Sequence, residues 1–192
     1  MPKTYSDPTA EQAIANVRRR ERGLLNRQIG NAFESLIESS LDWYRESGLA
    51  DVEKTPEPIK QLSAPNKRGQ FLACYMKAAQ NDFKGTIKGG RSVAFEAKHT
   101  EDDRISYGRV TPEQEKRLNS HYALGAATFV MVSFGLQDFY RIPWDVWRDM
   151  RAIYGRKYIR QDELDEYRVQ YIAGVLKLLD GIELKYAPPE KN

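Results

Sequence analysis

Apolar positions repeat at helical spacing over residues 30–46, where Phe33, Leu36, Ile37, Leu41 and Tyr44 fall on one stripe. This predicts a helix, with Gly48 as its stop. Upstream, residues 10–26 have the composition of a basic helix, and residues 1–9, with Pro2 and Pro8, read as disordered. Residues 51–55 predict a short strand ended by Pro56 and Pro58. In residues 59–80 neither period dominates, and a stretch this long reads as a projecting arm rather than a plain loop. Alternation then takes over: Val93, Phe95 and Ala97 share one face of a strand while Glu96 and Lys98 share the other. Gly89-Gly90 is a turn signal that folds the strand after Asp82 back against it.

Residues 100–109 read as a polar loop. Thr111-Pro112-Glu113-Gln114 has the marks of a helix start: Thr as N-cap, Pro at the first helical position, Gln three residues after the cap. Residues 127–134 form an apolar run suited to a buried central strand, and residues 138–142 pair with it after a turn at Gly135. Pro143-Trp144-Asp145 opens another helix, with Trp144 and Trp147 in the core, and a last helix is expected over residues 173–179. The order helix, strand, arm, hairpin, helix, two strands, helices predicts an α/β fold in which helices flank a mixed central sheet. The expected division is a basic, flexible segment over residues 1–28 and one domain over residues 29–192, with the arm inserted near residues 60–79.

A chain of 192 residues can bury a real core. No apolar run approaches the ~18–20 residues of a membrane span, and nothing resembles a secretion signal. Cys74 is the only cysteine, which excludes an internal disulfide, and is most simply a small buried hydrophobe. With only His99 and His121 besides, a structural zinc site is not expected, and a cytoplasmic location is. Net charge is only +3, but basic residues cluster at Arg18-Arg19-Arg20, at Lys67-Arg68 and at Arg156-Lys157. Each cluster reads equally as a solvated face or as a contact for phosphates. Phe71 and Tyr75, interleaved with Lys67, Arg68 and Lys77, suit stacking on bases or packing in a core.

The densest chemistry lies in Asp82-Phe83-Lys84-Gly85 followed by Phe95-Glu96-Ala97-Lys98. An acid, a hairpin and then Glu-x-Lys on a strand is the layout of a metal-dependent nuclease. Asp82 and Glu96 would offer hard oxygen ligands to Mg²⁺, and Lys98 would orient the attacking water or neutralise developing charge. Gln114 points inward from its helix, to reach the site or to fold back on Thr111 as a capping box. Glu34 lies at the edge of the first helix's buried stripe, where a solvent-facing side chain is the default. His99 falls on the strand face opposite Lys98, as a spectator, and His121 reads as a helix-surface or packing residue.

Gly30-Asn31-Ala32-Phe33-Glu34, Lys54-Thr55-Pro56-Glu57-Pro58-Ile59, the Lys67-Arg68 arm, the Asp82 and Glu96 motifs, Gln114 and Gly155-Arg156-Lys157 occur in an order that resembles the RecU family of Holliday junction resolvases. That family belongs to the restriction-endonuclease-like nucleases. The resemblance implies Asp82, Glu96 and Gln114 around Mg²⁺, with Mn²⁺ as a substitute, Lys98 stabilising the transition state and Glu34 as a supporting acid. It implies an arm that enters a four-way junction, a homodimer that nicks opposed strands symmetrically, and modulation of the strand-exchange recombinase. Gln80 stands where the family often has threonine, two residues before the metal-binding acid. The competing readings are a nuclease of the same core acting on other branched DNA, and a DNA-binding regulator of the recombinase.

Overall fold

A computed structural model describes residues 10–56, 58–75 and 80–182. The chain begins with α1 (Ala10–Glu46) and β1 (Ala50–Lys54), followed by the arm strands β2 (Ile59–Gln61) and β3 (Ala73–Tyr75). Then come the hairpin strands β4 (Phe83–Ile87) and β5 (Ser92–Thr100), the short β6 (Arg104–Ser106) and α2 (Pro112–Ala123). The remainder holds β7 (Ala127–Phe134), β8 (Asp138–Pro143), α3 (Trp144–Arg148), α4 (Met150–Tyr154), β9 (Tyr158–Arg160), β10 (Tyr171–Ile172) and β11 (Val175–Leu176).

The central sheet has five strands in the order β1-β4-β5-β7-β8. It is mixed: β5 and β7 run parallel, joined by a crossover through α2, and the other neighbours run antiparallel. Alternation along the strands splits the core in two. On one face Phe33, Ile37 and Leu41 of α1 cover Val52, Phe83, Phe95 and Phe129. The rings of Phe83, Phe95 and Phe129 stack across three strands, at centroid spacings of 4.9 and 4.5 Å. On the other face Leu118, Trp144, Trp147 and Met150 pack against Val130, Val132 and Ile142. Every residue of β7 is buried, as its unbroken apolar run predicts. The expected architecture of helices on a mixed sheet is the observed one.

The β4–β5 turn sits at Gly89 and Gly90, whose φ angles of 96° and 91° suit glycine. Gly85 has a different reason to be glycine: a Cβ there would lie 2.1 Å from the Asp51 carbonyl oxygen and 2.5 Å from the Val52 Cα. Both are backbone atoms of the paired strand β1, so the sheet itself would have to open. Gly85→Ala is expected to cost about 3 kcal/mol, a fall of roughly 6–12 °C in Tm, measurable by thermal unfolding. An unchanged Tm would show that β1 yields freely.

Four local expectations differ from the structure. α1 is one unbroken helix of 37 residues rather than two, because a single Gly30 costs a helix only about 1 kcal/mol and offers no stop by itself. The polar stretch after β5 contains β6 and a 3-10 turn, Tyr107–Arg109, since β6 finds a distant partner in β9. The helix expected over residues 173–179 is instead the β10–β11 hairpin, turned at Ala173 (φ 50°) and Gly174 (φ 84°). Finally, Cys74 is exposed rather than buried, and Phe71 is 43% exposed, so neither packs in a core.

Both differences at Cys74 and Phe71 follow from the arm. Among the described residues β2 and β3 pair only with each other, as a ribbon outside the main sheet. Its tip is a tight turn organised by Asn66. The Asn66 N–H donates to the Gln70 carbonyl at 2.8 Å, and its Oδ1 accepts from the N–H groups of Arg68 and Gln70. Ile59, Leu62, Phe71 and Leu72 are exposed along it.

Candidate active site

Asp82 and Glu96 meet because β4 and β5 are antiparallel neighbours in a register that pairs Phe83 with Phe95. Phe83 and Phe95 point into the α1 core, so the residues flanking them, Asp82 and Glu96, point to the α2 side. Asp82 Oδ2 accepts the Ala97 N–H at 3.0 Å, which fixes its carboxylate against the strand. Lys98 Nζ lies 3.1 Å from Glu96 Oε2 and 3.4 Å from Asp82 Oδ2, bridging the two acids. Glu96 is fully buried, Lys98 nearly so, and the Asp82 side chain is 27% exposed. The pocket therefore opens to solvent on the Asp82 side.

Burial, and next the charge of Asp82, push the Glu96 carboxyl up to about 8, against the opposing pull of Lys98. One ammonium does not offset two carboxylates where one of them is fully buried. That imbalance and the hard oxygen donors fit a divalent cation. Among the described residues no group of three or more His, Cys, Asp or Glu side chains is spaced to hold a metal. An ion here would draw on Asp82, Glu96, amide oxygens and water.

Gln114 forms the capping box, and it reaches the acids with its amide nitrogen rather than with the oxygen expected to meet a metal or water. Its Oε1 accepts the Thr111 N–H at 3.1 Å, completing the capping box with the Thr111 hydroxyl, while its Nε2 donates to Glu96 Oε2. The amide thus faces Glu96 with its nitrogen. Ligation of a metal through its oxygen would require the amide to turn over and release the Thr111 N–H.

The remaining candidates make other contacts. Glu34 Oε2 is 2.8 Å from Lys54 Nζ, and Glu38 shares the same lysine at 3.1 Å; Lys54 is the cross-strand partner of Phe83, the residue after Asp82. Gln80 is exposed and accepts from Lys84 Nζ at 3.0 Å. Arg18, Arg19 and Arg20 are exposed on α1, and Lys67 and Arg68 are exposed at the arm tip. Lys77 lies outside the described residues. Arg156 is neutralised by Glu163 and rests on the Tyr158 ring, and Lys157 sits over Tyr107. His99 bonds to Ser133 and Glu101 behind the strand, away from Lys98. His121 is half-buried, and burial, then Lys84 and Arg117, hold its imidazole below the usual range.

Sequence reasoning passed over two residues. Asn81 is buried and its Nδ2 donates to Glu96 Oε1 at 3.1 Å, holding the oxygen that Lys98 and Gln114 leave free. Its position next to Asp82 was the only available signal. Thr55 donates its N–H to the Asp82 carbonyl at 2.8 Å, and its buried hydroxyl has no hydrogen-bond partner among the described residues.

The sequence profile described as RecU, Recombination protein U, matches residues 28–184. The chain belongs to the RecU family. The protein named Holliday junction resolvase RecU from Streptococcus pneumoniae serotype 19F (strain G54) is 29% identical over 152 residues, 76% of each chain. The protein of the same name from Streptococcus pneumoniae strain 70585 matches to the same extent. A 1.6 Å structure of Archaeoglobus fulgidus Hjc, a Holliday junction resolvase, overlaps at a TM-score of 0.35 and 13% identity, covering 61% of this chain and 74% of that one. Within the RecU match fall the whole Asp82–Glu96–Lys98 cluster, the arm and Gln114. The basic start of α1 precedes it.

Proposed function

We propose that this RecU-family protein is a Mg²⁺-dependent endonuclease that resolves four-way DNA junctions by paired nicks. The observation that carries the reading is the convergence of Asp82, Glu96 and Lys98 in one pocket that opens on the Asp82 side. The names of its relatives give the substrate class.

Asp82 and Glu96 would hold the ion, with Asn81 and the Ala97 N–H keeping their carboxylates oriented. A bound Mg²⁺ supplies a water of lowered pKa and positive charge beside the scissile phosphate. The chain's own part is geometric and electrostatic. Burial of Glu96 excludes bulk water, so charges in the pocket act at low dielectric. Lys98, relieved of balancing two carboxylates, offers its ammonium to the negative charge that builds on the phosphate. Lys67 and Arg68 would contact phosphates at the junction, with Leu62, Phe71 and Leu72 set against its unpaired centre. Arg18, Arg19 and Arg20 extend the basic surface. A homodimer would present two such pockets to opposed strands. Action in the cytoplasm and contact with a strand-exchange recombinase belong to this reading.

The test is incubation with labelled junctions, forks and linear duplexes, with and without Mg²⁺. Symmetric nicks confined to the junction and dependent on metal are expected. Equal cutting of forks would favour a broader branched-DNA nuclease, and no cutting of any substrate would overturn the assignment.

A further inference from the structure

The ribbon formed by β6 and β9 places two like charges directly opposite one another. Arg104 is the cross-strand partner of Arg160. Ile105 and Ile159 between them are buried, so both arginines stand on the outer face. Like charges in this position destabilise a strand pair. The fold offsets them only in part: Glu163, paired with Arg156, also accepts the Arg160 N–H at 2.9 Å and feels its charge. Arg160 reaches Asp162 only at 3.5 Å, with both side chains largely in solvent. Arg104 has no carboxylate paired with it among the described residues, and instead lies 5.1 Å from the Tyr158 ring centroid.

The surroundings hold these cations in place without cancelling them. Arg156, itself neutralised by Glu163, lies 4.8 Å from the same Tyr158 ring and pins it. Lys157 lies 5.6 Å from the Tyr107 ring. A ring face attracts a cation but carries no net charge. The ribbon also abuts the candidate active site. Tyr107 donates its N–H to the Lys157 carbonyl at 3.0 Å, and the charge of Glu115, the residue after Gln114 in the first turn of α2, acts on its hydroxyl. Arg109, at the end of the same segment, donates to the His99 carbonyl beside Lys98 at 2.8 Å.

We propose that the outer face of this ribbon, through Arg104 and Arg160, binds the phosphate backbone of a duplex DNA arm adjoining the cleavage pocket. The inference rests on the junction-cleaving reading above. Opposed residues of an antiparallel pair have Cα atoms only ~4.5–5.5 Å apart, so two guanidinium forks can close on the same or neighbouring phosphates. The repulsion that weakens the free ribbon then becomes attraction in the complex.

The test compares the wild-type full chain with Arg104→Gln/Arg160→Gln and Arg104→Lys/Arg160→Lys. Affinity for a linear duplex and a junction is measured in EDTA between about 50 and 200 mM salt, and junction cleavage separately at saturating substrate. The glutamine pair is expected to reduce the salt slope by about 1–2 units for both DNAs. It should leave kcat unchanged and Tm no lower than wild type, since a repulsion has been removed. The lysine pair should keep the wild-type slope. If the glutamine pair keeps it while the wild type nicks junctions, the ribbon proposal alone fails, as it would for an acidic protein partner. A fall in Tm that accompanies the loss of binding would also overturn it. If the wild type neither binds nor nicks junctions, the cleavage reading fails and takes this one with it.

Discussion

Lys98→Ala is expected to slow junction cleavage in Mg²⁺ by about 10²–10³-fold while leaving junction binding near the wild-type level. The ammonium is almost buried and lies within 3.4 Å of an oxygen on each acid, so no bulk cation can take its place at the same distance. Its charge acts where the phosphate gains charge, and a truncated side chain supplies nothing there. Asp82→Asn should be equally severe for another reason: the amide keeps the shape but loses the anionic ligand. Single-turnover cleavage with saturating enzyme separates these losses from weaker binding. Rates within tenfold of wild type in either variant would remove the residue from the assigned role.

Glu96→Gln should make the metal-free protein more stable at alkaline pH, although it destroys activity. The folded-state pKa of Glu96 is pushed up to about 8 from an ordinary 4.5, first by burial and then by Asp82. Between those values the folded state holds a proton that the unfolded state has lost, so stability falls as pH rises. The contribution is complete below about 4.5 and is lost as pH passes about 8, an effect of at most about 5 kcal/mol. Glutamine keeps an oxygen acceptor for Asn81 and cannot ionise. In EDTA the variant should therefore melt above wild type at pH 9, with the gap closing toward pH 5. Millimolar Mg²⁺ should reverse the order at pH 9, because only the wild type gains stability from binding it. Equal stabilisation of both proteins by Mg²⁺ would show that Glu96 is not a ligand.

Much of the pocket was legible locally. Strand alternation forces Glu96 and Lys98 onto one face, and Gly89-Gly90 forces β4 back along β5, so Asp82 must arrive near Glu96. Asn81 was not legible, because an asparagine beside an acid carries no pattern until its partner's position is known. Glu34 shows the converse. Its place at the edge of the α1 stripe was visible, but its pairing with Lys54 depends on how β1 lies under α1.

By itself the sequence determined the elements with long periodic signals: the stripe of α1, the buried run of β7, the hairpin turn and the capped start of α2. These are set by local sterics and by burial of one face, which the chain specifies over a few residues. Only the tertiary structure decided the short pieces. β6 exists because β9 lies beside it, β10 and β11 displace an expected helix because Ala173-Gly174 turns and Ser40 of α1 accepts the Leu176 N–H, and the arm stands outside the core. Segments of two or three residues have too little intrinsic preference to choose a conformation, so partners far along the chain choose it for them.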